Sequence, residues 1–306
     1  MTGLFCEDHC MSKLRLDRIA SLYFFQPLSR MFGTRSRPRV PILMYHSIQD
    51  GAPTRHPYYE TDTSPAVFAR QMKYLRDNGY QALGLEVATR LIEQGESLEK
   101  RVVITFDDGY RDFYTTAYPI LKENNLSATV FLIARFTNEQ SSRFNGKECM
   151  TWSQVRELYS DGIRFGSHTL NHPKLKLLTA TEVDEEVGRS KRTIEDKIGS
   201  SLKSFSYPFA FPETDTVFVR NLRHTLEGHG YENGVSTIIG TAGSDDDRFF
   251  LPRLPVNLWD DLKLFRAKLE GGYDWLHPLQ RANKLMKAGI ALWTRESNKA
   301  TSLSPR

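Results

Sequence analysis

The sequence predicts a parallel β/α barrel, closed or nearly closed. Seven apolar, β-rich runs between residues 40 and 256 alternate with helix-like stretches, the pattern of parallel strands joined by crossover helices. The 306 residues are 40% hydrophobic and 25% charged, a globular composition able to bury a sizeable core. Polar residues with chemical potential stand where the runs end, and barrel enzymes keep their chemistry at the C-terminal ends of the strands.

Along the chain, residues 1–38 read as a basic, irregular tail with a helix near 13–25. The strand candidates are VPILMYHSI (40–48), RVVITFDD (101–108), SATVFLIA (127–134), GIRFGSH (162–168), KSFSYPFA (203–210), GVSTIIG (234–240) and FLPRLPV (250–256). Between them, SPAVFARQMKYLRDNGY (64–80) places Val67, Met72, Leu75 and Tyr80 near one helical face. WSQVRELYSDG (152–162) stops on Gly162, with Trp152 as anchor of its helix. TATEVDEEVGRSKRTIEDKIG (179–199) opens on a threonine cap with acidic first turns, as the helix dipole favours. The division expected is tail 1–38, catalytic barrel 39–260 and basic helical extension 261–306.

Net charge is +4, too weak to suggest nucleic acid, but its distribution is uneven. Residues 1–40 sum to +4 and 261–306 to +5, around a body of −5. Basic tails are often merely solvated; they can also be drawn to an anionic membrane surface. No apolar run approaches the roughly 18–20 residues that span a bilayer. Lys13, Arg15 and Arg18 precede only the short IASLYFF (19–25), with no clean cleavage site after it. Three cysteines, Cys6, Cys10 and Cys149, make no disulfide framework and suit a reducing compartment. A cytoplasmic protein, with peripheral contact to the inner face of the membrane as the alternative, is expected. CEDHC (6–10) offers too few ligands to hold a metal. DDD (245–247) reads as a solvated loop, and His9, His56, His224 and His229 have no partner pattern.

Two strand ends carry the chemistry. TFDDG (105–109) puts adjacent carboxylates after an apolar strand. Neighbouring strand residues point to opposite sides, so one can bind a metal while the other handles a proton. A turn capped by Asp and Gly is the plainer reading. SHTLNHP (167–173) spaces His168 and His172 i, i+4, which in a helical turn puts both imidazoles on one face. Two imidazoles and a carboxylate make a three-ligand zinc site with an open position for water. A spare carboxylate beside that water is equipment for hydrolysing an amide or ester.

With these motifs, the sequence resembles the polysaccharide deacetylases, carbohydrate esterase family four. TFDDG, SHTLNHP and FSYPFAF (205–211) look like the family's first three motifs. PILMYHSI and FFLPRLPV further resemble the branch acting on exopolysaccharide or surface-glycan amino sugars. The resemblance covers about residues 40–260. It implies a distorted, TIM-barrel-like (β/α) barrel of about seven strands and metal-dependent removal of N-acetyl groups from N-acetylhexosamines, in a polysaccharide, an oligosaccharide or a lipid-linked glycan. Asp107 matches the catalytic base, and Asp108, His168 and His172 match the metal ligands. Zn²⁺ is the metal expected of that donor set, though cobalt, nickel or iron would also accept it.

The sequence departs from the family twice. Where many members carry an arginine that pairs with the catalytic aspartate, Ser206 stands; and no late strand carries the histidine that serves as general acid. His46, at the end of the first strand, is expected to fill the second role, protonated near neutral pH. Arg253, on a last strand neighbouring the first in a closed barrel, would orient Asp107. A backbone-bonded histidine and a structural ion pair are the competing readings, and His277 is the next candidate acid. Tyr207, Pro208 and Phe209 are candidates to line a sugar groove, with core packing the alternative. The same site on a cyclic or non-sugar amide, or a glycan-binding protein that has lost catalysis, are the other functions weighed. Last, Leu16, Ile19, Ala20, Tyr23 and Phe24, and likewise Ala282, Leu285, Met286, Gly289, Ile290 and Trp293, form apolar stripes. These are expected to pack on the barrel, with an interfacial helix on anionic lipid as the alternative.

Overall fold

The computed structural model describes residues 15–28, 38–51 and 60–286. Cys6, Cys10, His9, His56, Gly289, Ile290 and Trp293 lie outside the described residues. All seven expected strands form: β1 (Ile42–Tyr45), β2 (Arg101–Phe106), β3 (Thr129–Leu132), β4 (Arg164–Ser167), β5 (Ser204–Ser206), β6 (Asn233–Ile239) and β7 (Leu251–Pro255). They pair in parallel in the order β1-β7-β6-β5-β4-β3-β2, and β2 returns to β1, so the sheet closes on itself. The first and last strands are neighbours, with Leu254 opposite Leu43.

The ring is irregular. Strand β3 pairs only the end of β2, at Thr105 and Phe106, while a two-residue strand, Gln81–Ala82, pairs its beginning, at Arg101 and Val102. Strands β4 and β5 meet at a single pair, Ser167 and Phe205, and β6 bulges against β7 between Val235 and Ile239.

Eight helices are referred to below: α1 (Leu16–Ala20), α2 (Pro65–Asp77), α3 (Leu85–Gln94), α4 (Tyr118–Glu123), α5 (Trp152–Ser160), α6 (Ala180–Ile198), α7 (Thr216–Gly228) and α8 (Leu262–Leu269). Helix α5 starts at a Thr151 capping box with Trp152 buried beneath it, and α6 starts at a Thr179–Glu182 box and stops on left-handed Gly199. The buried face of α2 is Phe68, Gln71, Met72 and Leu75, one position off the face expected from Val67. Helix α8 buries Leu264, Phe265 and Leu269 in the same cluster as the strands and outer helices, so packing continues past residue 260.

Alternation along the strands decides what fills the ring. Ile42, Val103, Phe131, Val235 and Leu251, one from each of five strands, cluster with Leu85, Ala88 and Ile92 of α3, which plugs the N-terminal mouth. Gly166 makes room for this filling. A Cβ there would lie 2.5 Å from the Phe131 ring and 2.9 Å from the Ser204 carbonyl. Counting on by twos toward the C-terminal ends gives His46, Asp107, His168, Ser206 and Arg253. The same inward positions that are apolar at one end of the ring are polar at the other.

DDD (245–247) is a clasp rather than a solvated loop. Asp245 and Asp246 hold Arg39 at 2.6 and 2.7 Å, and Asp247 pairs with Arg223.

Candidate active site

Beyond β2, the chain turns through two left-handed residues, Asp108 (φ +71°) and Gly109 (φ +66°). A Cβ on Gly109 would lie 2.8 Å from Leu132, so glycine is needed for space as well as for backbone. The turn leaves Asp107 inside the ring and carries Asp108 over its rim. There Asp108 Oδ1 stands 3.6 Å from Nε2 of both His168 and His172.

The two histidines do not sit on a helical turn, as their spacing suggested. The segment is irregular, with Thr169 (φ +68°) and His172 (φ +57°) both left-handed. Side chains hold it in place. Glu186 of α6 accepts from the backbone N–H of Leu170 and Asn171 at 3.0 and 2.9 Å, and Thr169 Oγ1 accepts from His172 N–H at 2.9 Å. The sequence reading missed Glu186. Its signal was an acid set on the buried stripe of α6, beside Val183, Val187, Ser190 and Ile194.

This trio fits a divalent metal. One ligand atom from each residue lies within 4.8 Å of the others. Tetrahedral bonds of about 2.1 Å would put ligand atoms about 3.4 Å apart, close to the spacing found. His168 Nδ1 lies 2.8 Å from the Ser206 carbonyl, which can only accept. Nδ1 therefore carries the proton, and the Nε2 lone pair faces Asp108. Burial lowers His168 to about 4 and, reinforced by the repulsion two protonated imidazoles would feel, His172 to about 3, so their surroundings favour the neutral rings that ligands need. Asp108 Oδ1 is buried with no hydrogen-bond partner, and burial, then the Asp107 charge, raises this carboxyl to about 7. A buried carboxylate left unsatisfied between two imidazole lone pairs is a site built for a cation.

Asp107 has the opposite surroundings. The Arg253 guanidinium grips it with two parallel bonds, 2.8 Å to Oδ1 and 2.7 Å to Oδ2. Burial alone would raise this carboxyl; the Arg253 charge, followed by His168, outweighs burial and holds it well below the usual range. Arg253 is itself fixed by the Ser236 carbonyl at 2.9 Å and Thr105 Oγ1 at 3.2 Å. Ser206 donates to Asp107 Oδ1 at 3.2 Å and accepts from Arg253 at 3.1 Å. Ser206 thus lies between Asp107 and the Arg253 of the last strand.

His46 Nε2 lies 4.0 Å from Asp107 Oδ2. Its surroundings oppose the expected protonation near neutral pH. Burial, reinforced by Arg253 and His172, lowers it to about 4 despite the Asp107 charge. His277 pairs with Glu213 at 2.8 Å instead.

Of the three candidate groove residues, only Phe209 is exposed. Tyr207 is 2% exposed and packs edge-on against Phe211 and Phe218, and Pro208 is buried too, so both belong to the core. Phe209, 45% exposed, has its ring 4.5 Å from that of His172. Phe144 flanks His172 from another direction at 5.1 Å. It sits in a hairpin, Arg143–Phe144 with Lys147–Glu148, whose place over the site no local pattern announces.

Residues 94–232 match the family described as polysaccharide deacetylase. The chain is 35% identical over 243 residues, 79% of its length and 80% of the other, to YxkH of Bacillus subtilis (strain 168), which is named for the same family. It is 24% identical over 203 residues, 63% of this chain and 67% of the other, to a Staphylococcus aureus protein named poly-beta-1,6-N-acetyl-D-glucosamine N-deacetylase. Among solved structures, the Streptococcus pyogenes deacetylase PplD in complex with acetate superposes with a TM-score of 0.66 at 26% identity, covering 76% of this chain and 99% of that one. Matching sequence, closed ring and metal-fitting trio agree: the chain belongs to the polysaccharide deacetylase family, carbohydrate esterase family four, and is related to its exopolysaccharide and surface-glycan deacetylases.

Proposed function

We propose that the protein is a zinc-dependent N-deacetylase of N-acetylhexosamine residues in a polysaccharide, an oligosaccharide or a lipid-linked glycan. The observation that carries this reading is the pairing of two adjacent carboxylates with opposite surroundings, Asp108 open toward two neutral imidazoles and Asp107 gripped by Arg253. The names of the S. aureus and S. pyogenes relatives support the reaction class. Peripheral contact with an anionic membrane would suit the lipid-linked form of the substrate.

Asp108, His168 and His172 would hold the ion, which supplies Lewis acidity to the amide carbonyl and lowers the pKa of the attacking water. Asp107, kept ionised by Arg253, accepts a proton from that water as its oxygen bonds to the acetyl carbon. Ser206 and Arg253 fix which carboxylate oxygen faces the reaction. His46 enters neutral, takes from Asp107 the proton that came from the water, which leaves Asp107 ionised again, and delivers it to the amide nitrogen as the C–N bond breaks, giving a free amine and acetic acid, which ionises. Phe209 and Phe144 offer apolar ring faces to a sugar beside His172. A binding protein that had lost catalysis would need no second, charge-clamped carboxylate next to the ligand trio.

The test is acetate release from N-acetylglucosamine oligomers by the metal-loaded protein, with a cyclic amide as comparison substrate. Release is expected from the oligomers, and His172→Ala should lose bound metal and activity together. Fully loaded protein that frees no acetate from any N-acetylated oligosaccharide, or a His172→Ala variant with full metal and unchanged turnover, overturns the reading.

A further inference from the structure

The two terminal helices dock with their polar faces inward. Asp17, Ser21 and Gln26 of the first are buried, while Leu16, Tyr23 and Phe24 are 64, 70 and 66% exposed. The spacing of four and then five between the docked residues follows from the π-helical turn Ser21–Phe25 that continues α1. Asp17 accepts from the Tyr273 hydroxyl at 2.6 Å, Ser21 from the Trp275 indole at 2.9 Å, and Gln26 donates to Glu270 at 2.6 Å. The second helix, through residues 276–286, repeats the arrangement. His277 and Lys284 bind Glu213, and Gln280 binds the backbone of Thr237 and Ile239, while Leu279, Leu285 and Met286 face out at 56, 53 and 63% exposure. The expected packing against the barrel is therefore reversed for the first stripe and for Ala282, Leu285 and Met286 of the second, the rest of which lies outside the described residues. Phe25 of the first helix stacks on Trp275, the residue before the second, at 4.5 Å.

We propose that the outward apolar faces of these two helices are the surface by which the protein lies on an anionic lipid bilayer. Charge chooses this occupant. By sequence, the two ends of the chain to which these helices belong, residues 1–40 and 261–306, sum to +4 and +5, and the body between them to −5, so an anionic surface attracts the ends of the chain and repels the rest. The composition of the outward faces suits a headgroup boundary: tyrosine, phenylalanine, leucine and methionine, with exposed Arg281 beside them. Their position also suits a lipid-borne substrate. The helices rest on Glu213, Thr237 and Asp260, each at or beyond the C-terminal end of a barrel strand, which is the end that carries the metal trio. Thr237 in turn donates to the Phe209 carbonyl. Membrane attachment itself does not depend on the deacetylase reading, because it is measured as binding.

The full-length, metal-loaded protein is to be sedimented with phosphatidylcholine–phosphatidylglycerol vesicles and with pure phosphatidylcholine vesicles. Binding to the anionic vesicles alone, weakening as salt rises, is expected. Tyr23→Ser with Phe24→Ser, Leu285→Ser with Met286→Ser, and Arg281→Glu should each weaken it by about tenfold or more, with metal content and acetate release from soluble oligosaccharide unchanged. Wild-type protein that leaves anionic vesicles in the supernatant at low salt overturns the proposal, as do variants that bind like wild type. A wild-type dimer that the serine variants split, without vesicle binding, would assign the face to a second copy of the chain instead.

Discussion

Two clusters of buried charge lie at the same end of the barrel, and they are built on opposite plans. One joins Arg15, Asp17, Asp260, Lys268 and Tyr273, where α1 meets α8. Asp260 gives one oxygen to Arg15 at 3.0 Å and the other to Lys268 at 2.6 Å, and Asp17 is held by Arg15 and Tyr273. The other is the Asp107–Asp108 site, where one carboxylate is fully engaged and the other keeps an oxygen without a partner. Burying charge is costly in both places. The first cluster offsets the cost internally, and so serves as a joint between the terminal helix and the barrel. The second leaves one vertex open, and so can take up a cation. Buried charge alone does not mark chemistry; an unfilled position beside it does.

The sharpest way to break this contrast is to neutralise one carboxylate in each cluster. Asp107→Asn keeps the shape but cannot accept a proton, and turnover should fall by about 10²–10⁴ with metal content unchanged. Near-normal turnover would place the base elsewhere. Asp260→Ala strands Lys268 and Arg15 without their shared anion, and thermal or denaturant unfolding should show a loss of about 3–5 kcal/mol. Metal stoichiometry and kcat/KM per folded molecule should not move. A catalytic defect in the folded fraction would mean that the joint is part of the site.

A smaller effect sharpens the picture of the open vertex. Asp108, raised to about 7, must lose its proton before it can ligate, whereas His168 and His172, at about 4 and 3, are already neutral. Below pH 7 metal affinity should therefore rise about tenfold per pH unit, then level off as Asp108 is fully ionised. Titration calorimetry in buffers of different ionisation enthalpy should detect about one proton released per metal at the acid end. Affinity that is flat between about pH 5 and 7 would show that Asp108 is ionised before the metal arrives.

The parts of this molecule legible in the sequence are those set by local pattern. Strand runs such as RVVITFDD, caps such as Thr151 and Thr179, and the DDG strand end all act over a few residues. The Asp107–Arg253 pair was also within reach, because ring closure makes the first and last strands neighbours. What escaped depends on long-range placement. The i, i+4 spacing of His168 and His172 reads as helical, but Glu186 and two left-handed residues hold the segment in another shape. The same apolar letters mark Tyr207 and Phe209, two residues apart, yet one is in the core and the other beside the metal trio. Helical periodicity located the stripe at residues 16–24 but not the direction it faces, because a polar stripe can dock when buried partners such as Tyr273 and Trp275 await it.

Ring closure also bears on how the protein folds. Asp107 and the Arg253 guanidinium lie 146 residues apart in sequence and on strands made at different times. Contacts of such separation form late, since the intervening loop must be closed before they yield any stabilisation. Until β7 docks between β6 and β1, Asp107 has no counter-charge inside the ring, and burial by itself favours a protonated carboxyl. The last of the seven strands therefore both seals the barrel and brings the charge that favours an ionised Asp107. Asp108, His168 and His172 all lie N-terminal to residue 173, so the two adjacent carboxylates draw their surroundings from opposite ends of the barrel's sequence.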